Sequence, residues 1–329
     1  MEKTKSGLSL PHAAIGIAIL AAIVCPHLMS TYQIHLLLLV SIWLIVAISL
    51  NLLTGYIGKM SFAHAAFMGV AGYTSSILTL STEIPWIAAA ILGIVLSGLV
   101  GMFLGIITLR LKGHFFGIVT LAFGEIYTLI VLNAMELTNG PMGLRGIEYP
   151  NIFGFYFENN IVLFYLILAV ILFCFWLAHR IVESQFGVKM RAVREDEDLA
   201  ECMGIHTTYV KVLTFTISSM MAGLGGVFYT HYIRYISPDI FTGDDSTLLV
   251  LMVILGGMGT KIGPILGALV VVLLPQILYV INDARMIIFG VIIILVMTFM
   301  PRGLVGVFQD ILKKLAVKKA DTPAQAADK

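Results

Sequence analysis

Long apolar runs dominate this sequence and limit what it can fold into. A helix needs about 20 mostly apolar residues to cross the hydrocarbon core of a bilayer. The sequence has eight long apolar runs, and two others, 67–81 and 248–260, are shorter than an ordinary span. We therefore predict an all-α integral membrane protein of about ten transmembrane helices, eight long and two short or broken. The long runs are 8–30, 34–54, 84–109, 115–134, 160–179, 210–232, 262–281 and 286–301.

The composition excludes a soluble domain. Of the 329 residues, 59% are hydrophobic and 12% are charged, whereas soluble domains have about 45–50% apolar and about 25% charged residues. So few polar residues do not cover a water-facing domain. The net charge of +1 provides no global field that would attract nucleic acid. The three cysteines, Cys25, Cys174 and Cys202, predict neither a disulfide framework nor a metal site.

The distribution of Lys and Arg predicts the orientation. Ten segments with the N-terminus inside place 17 of the 20 Lys and Arg residues on one side, and only Arg145, Arg234 and Arg285 on the other. Cytoplasmic loops carry an excess of these residues. We therefore expect both termini of this multi-pass protein in the cytoplasm.

Residues 1–303 are expected to form one polytopic transmembrane domain. The stretch 135–160 is too polar for lipid and is predicted to be an external loop. The stretch 180–208 holds the densest charge and is predicted to be a cytoplasmic loop. Residues 304–329 begin with a pattern typical of an amphipathic helix on a membrane surface and end in a polar, disordered tail on the cytoplasmic side.

No enzymatic motif accompanies these spans. The sequence has no His-Glu-x-x-His, no Gly-x-Ser-x-Gly and no paired-cysteine pattern. Gly58-Lys59 is followed by Met60 and lacks the earlier glycine of a phosphate-binding loop. We therefore predict a protein that is not an enzyme and that binds no metal or cofactor itself. If ATP drives it, another chain binds the ATP.

Glu125 is the main charge inside a predicted span. An ionised carboxylate at the centre of a span costs at least ~2.5 kcal/mol, so a partner or a function is expected. One interpretation is a hydrogen bond to a neighbouring helix that fixes packing. The other is a place on a translocation pathway. A proton- or ion-coupled carrier usually has several such groups, and this sequence has one, which weakens that class.

Two glycine-rich breaks interrupt the apolar pattern, one in each half of the chain. Each has Gly-x-x-Gly followed within two residues by Lys, and each adjoins a short apolar run. Such pairs indicate internal repeats and discontinuous helices that line a transport pathway. The alternative is that the glycines only allow close packing and turns. The repeat signal is weak. The residues concerned are Gly55, Gly58, Gly256, Gly257, Gly259 and Pro264.

Polar residues beside the first break are candidates for the pathway. They are Asn51, Ser61, His64 and Tyr73. A single His inside a bundle is more often a packing residue than a ligand for substrate. A Tyr on the short segment is equally compatible with an anchor at the membrane interface.

The charged loop contains a predicted short helix. Acidic residues precede a run of Ala, Leu and Met that ends at a glycine, which is typical of a helix with a negative N-terminus and a glycine stop. Such a helix between two spans is well placed to dock on another protein, and the alternative is a solvated connector. The residues concerned are Glu195, Asp196, Glu197, Asp198, Ala200 and Gly204.

Several blocks of the sequence together resemble the LivM-type permeases of bacterial branched-chain amino acid ABC importers. The block at 120–126 reads TLAFGEI, and the block at 255–264 reads LGGMGTKIGP. In the charged loop, Asp198-Leu199-Ala200-x-x-x-Gly204 resembles the Glu-Ala-Ala-x-x-x-Gly loop with which such permeases dock on ATPases, with Asp for Glu and Leu for Ala. The other blocks lie at 50–56, 61–67, 140–144, 191–205, 222–226 and 301–304.

This resemblance implies a subunit of the bacterial inner membrane with several partners. These are a second, homologous permease, two cytoplasmic ATP-binding subunits that use the ATP, and a periplasmic substrate-binding protein. It implies leucine, isoleucine and valine as cargo. Urea, short amides or other amino acids are the alternatives within the same class. An ion-coupled secondary carrier is the alternative from another class.

Overall fold

The computed structural model describes residues 25–82, 84–109, 115–152 and 154–277, and positions 288, 290, 291, 294, 298 and 303–306. Helices make up most of this described chain. They are α1 (Thr31–Tyr56), α2 (His64–Ser81), α3 (Trp86–Thr108), α4 (Phe115–Asn133), α5 (Met135–Thr138), α6 (Asn160–Val182), α7 (Gln185–Glu195), α8 (Glu197–Cys202), α9 (Thr207–Ile233), α10 (Gly243–Gly256) and α11 (Gly263–Ile277).

The helices α1, α3, α4, α6 and α9 are long and apolar enough to cross a membrane. They coincide with predicted long runs, so the all-α, multi-pass class is confirmed. The run 262–281 contains the shorter apolar helix α11. The short run 67–81 lies in α2, and the short run 248–260 lies partly in α10, which ends at Gly256. The runs 8–30 and 286–301 and the tail 304–329 lie largely outside the described residues.

The helix α9 lies at the centre of the bundle, because it packs on α1, α2 and α3. Small residues make this packing close. A Cβ at Gly226 of α9 would overlap the carbonyl of Met68 on α2. The buried Ser97 hydroxyl on α3 lies 3.1 Å from the Phe67 carbonyl and 2.8 Å from the Ser219 carbonyl. One hydroxyl thus joins α3 to both α2 and α9, as expected where polar side chains connect membrane helices.

The predicted external stretch 135–160 is structured at one end of the bundle. Besides α5 it holds a 3₁₀ turn (Gly140–Met142) and the strands β1 (Leu144–Arg145), β2 (Asn151–Ile152) and β3 (Phe155–Tyr156). The strand β4 (Tyr235–Ile236), which follows α9, pairs antiparallel with β1, so that Leu144 lies opposite Ile236. The pairing and a hydrogen bond from Arg234 Nε to the Ile147 carbonyl (2.9 Å) fasten the loop to α9.

The other end of the bundle carries the charged loop with α7 and α8 and is here called the basic end. Basic residues concentrate there among the described residues. The loops after α1 and α10 reach the same end, because Lys59 and Lys261 form ion pairs with residues 197 and 183.

Two helices begin inside the bundle. After α1 ends at Tyr56, residues 57–63 turn back into the bundle, and His64 at the start of α2 lies 2.7 Å from Ser218 near the middle of α9. The N–H of Ala65 donates to the hydroxyl of Ser246 in the first turns of α10 (3.1 Å). The N-termini of α2 and α10 therefore meet at mid-depth. Irregular backbone at this depth is tolerated where protein covers it.

Candidate functional site

The charged loop folds into two short helices, of which the sequence predicted one. Asp196 begins α8 by accepting a hydrogen bond from the Leu199 N–H (2.9 Å). Glu197 and Asp198 occupy the first turn, where negative charge favours a helix. Gly204 follows at φ +81°, a conformation that suits glycine and ends the helix. Glu195, by contrast, ends α7, an amphipathic helix that the sequence analysis did not predict.

Glu197 connects α8 to the bundle through two lysines. Its carboxylate pairs with Lys211 of α9 and lies 3.4 Å from Lys59 in the loop after α1. Lys211 is only 2% exposed, and its ammonium also donates to the Leu109 carbonyl at the end of α3 (2.8 Å). Burial raises the pKa of the Glu197 carboxyl. The hydrogen bond and charge of Lys211 and the charge of Lys59 lower the pKa by more than burial raises it, so it lies below its ordinary value.

The two glycine-rich breaks, far apart in sequence, lie in contact. The Asn51 side chain joins them: its Oδ1 accepts from the Gly259 N–H (2.9 Å), and its Nδ2 donates to the Thr260 carbonyl (3.0 Å). Gly55 lies one turn further along α1, where a Cβ would be 2.8 Å from the Gly259 Cα. Gly259 itself has φ +72°. The close approach therefore requires glycine at both positions.

Arg194 at the end of α7 reaches both breaks. Its guanidinium donates to the Gly55 carbonyl in the last turn of α1. Its aliphatic stem passes over Gly58, which has φ +80°, and its Nη1 approaches Gly259. A cation at a helix C-terminus also interacts favourably with the helix dipole. The charged loop is therefore fastened to the first break, and contacts the second, through one side chain.

The remaining residues of the second break shape a tight turn. Gly257 has φ +121°, and a Cβ at Gly256 would overlap the carbonyl of Gly263. The buried Pro264 lies in the first turn of α11, where its missing N–H leaves no helical hydrogen bond unmade. These residues reverse the chain between α10 and α11 at the basic end.

His64 and Ser61 belong to a buried polar network. The hydroxyl of Ser218 donates to the Ser49 carbonyl (2.6 Å), so His64 Nε2 donates to Ser218 (2.7 Å). His64 Nδ1 lies 3.2 Å from the Ser61 hydroxyl and accepts from it. A neutral imidazole has one donor and one acceptor, and both are used here. This geometry favours the packing interpretation of His64.

Tyr73 is also buried, on α2, but its hydroxyl has no hydrogen-bond partner among the described residues. The same holds for Tyr127 on α4. A buried hydroxyl without a partner is costly. The position of Tyr73 does not fit an anchor at the membrane interface, because its ring is enclosed by protein.

Glu125 lies apart from this cluster, in the middle of α4. Glu125 is exposed, and its carboxylate lies beside the start of α10. A Cβ added to Gly243 would be 2.8 Å from the Glu125 Oε1. Within the described residues it forms no ion pair. The structure thus places Asn51 between the two breaks, Ser61 and His64 in a buried network that follows the first break, and Glu125 on an open side of the bundle.

Comparison with known protein families identifies the family of this chain. The family model described as branched-chain amino acid transport system / permease component matches residues 32–297. The chain belongs to this family. The match includes both glycine-rich breaks, the charged loop and the segment that carries Glu125.

Similar proteins carry permease names. The LivM permease proteins of the high-affinity branched-chain amino acid transport systems of Salmonella typhimurium and Escherichia coli are 28% identical to this chain over 316 residues. The match covers 89% of this chain and 74% of each relative. The Escherichia coli LivH permease protein of that system is 25% identical over 287 residues, with 81% and 92% covered. No solved structure is a significant match.

In this permease, the cations that fasten the charged loop were not predicted from the sequence. Lys211 carried a usable signal, because a lysine within the first two turns of an apolar span needs a partner. Arg194 and Lys59 carried none, since nothing in the local sequence indicates which carbonyl or carboxylate they contact. Among the described residues, no group of three or more His, Cys, Asp or Glu side chains is arranged to hold a metal ion.

Proposed function

We propose that this chain is a membrane-spanning permease subunit of an ATP-driven importer that carries leucine, isoleucine and valine across the bacterial inner membrane. In this proposal a periplasmic binding protein delivers the amino acid. A second, homologous permease completes the transmembrane part, and two cytoplasmic ATP-binding subunits hydrolyse ATP. This chain itself hydrolyses nothing and holds no cofactor.

The observation that carries the proposal is the connection between the charged loop and the two breaks. A subunit that displaces α7 and α8 pulls on Arg194, which holds the Gly55 carbonyl, and on Glu197, which holds Lys59. Both contacts lie at the end of α1. Movement of the loop is therefore transmitted to the place where Gly55 and Gly259 touch.

The surface of α8 suits a protein partner. Leu199 is 61% exposed and Met203 is 77% exposed, one helical turn apart, and Tyr209 at the start of α9 is 64% exposed. Exposed apolar and aromatic groups beside charged ones are typical of protein interfaces. We assign the basic end to the cytoplasm, where ATP is available. The excess of Lys and Arg at this end supports that assignment.

The interior chemistry supports a cargo that another protein selects. Ser61, His64 and Asn51 use their polar groups within the protein. They are engaged within the protein and do not form a dedicated site for a solute. A permease that receives its substrate from a binding protein needs only a weak, transient site.

The experiment is reconstitution of the complex in proteoliposomes. The complete set of subunits with the binding protein is expected to take up labelled leucine only when ATP is present on the side of the ATPases. Uptake of urea but not of leucine would overturn the cargo. Uptake by this chain alone, driven by an ion gradient, would overturn the ATP-driven class.

A further inference from the structure

The helix α4 touches the rest of the bundle along one narrow stripe. Its buried residues are Phe116, Thr120, Gly124, Tyr127 and Val131, spaced three or four apart on one helical face. Only 28% of this span is buried, against 72% for α1. The opposite side consists of large apolar side chains that protrude from the protein. They are Phe115, Ile118, Leu121, Ile126, Leu129 and Ile130.

Acidic and polar groups interrupt this apolar side at mid-depth. Glu125 lies in the middle of α4, and its carboxylate rests against Gly243. Asp244 and Thr247 follow on the first turns of α10, and both are exposed, as is Glu125. Within the described residues neither carboxylate forms an ion pair. We call this surface, the open side of α4 with Asp244 and Thr247, the α4 face.

Lipid does not suit the centre of the α4 face. An acidic residue at the centre of a span costs about 2.5–3.5 kcal/mol even by the more lenient insertion scale. Two of them lie here, and neither pairs with a cation in the part of the chain that the structure describes. Ionisable residues at this depth face protein or a water-filled cavity. Whatever covers the α4 face must therefore be protein or water held by protein.

We propose that the α4 face is the surface on which the second, homologous permease packs, with Glu125 and Asp244 at the centre of the contact. The inference rests on the proposed function, since it assumes the importer. It adds the surface and the residues through which the two membrane subunits meet.

The dimensions and character of the face select this occupant. The apolar side chains run along nearly the whole 19-residue helix, about 28 Å at 1.5 Å per residue. A soluble ATPase or binding protein touches only the ends of a membrane bundle, whereas another membrane subunit covers its full height. The Escherichia coli system contains two permease proteins of this kind, LivM and LivH, and both are similar to this chain.

The test is photocrosslinking in the complete complex. The photoreactive residue p-benzoylphenylalanine is placed at Ile126 and, in a second variant, at Ile130. The matched control carries it at Trp176, which is 56% exposed on α6, a helix that packs on α1. The complex is irradiated in membranes, and the crosslinked species is identified by mass spectrometry. A second site guards against the failure of one variant to fold.

We expect crosslinks from Ile126 and Ile130 to the second permease, several-fold stronger than from Trp176. Crosslinks to a second copy of this chain, or equal crosslinking from all three sites, would overturn the proposal, as would crosslinks to lipid alone. Leucine uptake is measured separately on the unmodified complex. A complex that crosslinks as expected but carries another solute would contradict the proposed function and leave this inference standing.

Discussion

At the scale of single residues, Asn51 joins two segments that are far apart in sequence. One amide group bonds both the Gly259 N–H and the Thr260 carbonyl, and thereby holds the second break against α1. Gly55, one turn later, completes the contact by having no side chain. The two residues act together, because the amide fixes a distance that only glycine at position 55 permits.

Replacing Gly55 with Ala is expected to destabilise the permease. The new Cβ would meet the Asn51 side chain and the Gly259 backbone, and backbone cannot move aside cheaply. Overpacking of this kind costs about 1–3 kcal/mol. The measurement is the midpoint of thermal unfolding of the purified complex. Gly117→Ala is the control, since its Cβ would make an ordinary contact 3.5 Å from Phe62. Equal midpoints for the two variants would refute the close contact.

Glu197 gives the charged loop a defined response to pH. Its pKa is lower in the folded protein than in the unfolded chain, so its ion pairs stabilise the loop above the ordinary carboxyl range and are lost as the pH falls through the lowered pKa. A nitroxide label at Met203→Cys should therefore gain mobility on acidification. Glu197→Gln should make the label mobile already at neutral pH, whereas Glu195→Gln should retain the original pH profile. An unchanged pH profile in Glu197→Gln would show that this carboxylate does not cause the response to pH.

At the scale of elements, Arg194 and Glu197 attach α7 and α8 to the end of α1 and the loop that follows it. Arg194→Ala should leave the complex assembled and hydrolysing ATP, while leucine uptake per ATP falls several-fold. The reason is that a charge-assisted hydrogen bond, worth about 1.5–3 kcal/mol, no longer joins the loop to Gly55. Uptake and hydrolysis are measured on the same proteoliposomes.

The control for the Arg194 variant is Lys189→Ala, on the exposed side of α7. It removes a positive charge from the same helix without touching either break, so the ratio of uptake to hydrolysis should stay at the wild-type value. A normal ratio in Arg194→Ala, or an equal loss in Lys189→Ala, would show that coupling does not pass through this contact.

At the scale of the whole molecule, the orientation is open to a direct test. Single cysteines replace Met142, near β1, and Met203, after α8, in a background without native cysteines; both positions are largely exposed. An impermeant thiol reagent added to intact spheroplasts should label position 142 only, because we propose that the basic end faces the cytoplasm. Labelling of position 203 alone would reverse the orientation, and breaking the membrane of spheroplasts that lack the ATP-binding subunits should make both react.

The sequence predicted well where the signal is local. The spans α1, α3, α4, α6 and α9, the interruptions of helix at the two breaks, and a helix ending at Gly204 were all expected from run length, glycine and charge. The helix α7 was missed, since its polar, amphipathic pattern resembles a solvated connector. Whether His64 is a packing residue or a ligand was undecidable from sequence, because the answer depends on Ser218, which is 154 positions away.

By itself, the sequence determined that this chain is a multi-pass helical protein, and its motifs placed it in a permease family. Run length, hydropathy and motif spacing are properties of neighbouring residues and survive without any knowledge of contacts. Only the tertiary structure decided that the two breaks touch, that Arg194 and Glu197 fasten the charged loop to them, and that the α4 face is open at mid-depth. These facts depend on which helices lie side by side, and a local sequence pattern does not predict the packing between distant segments.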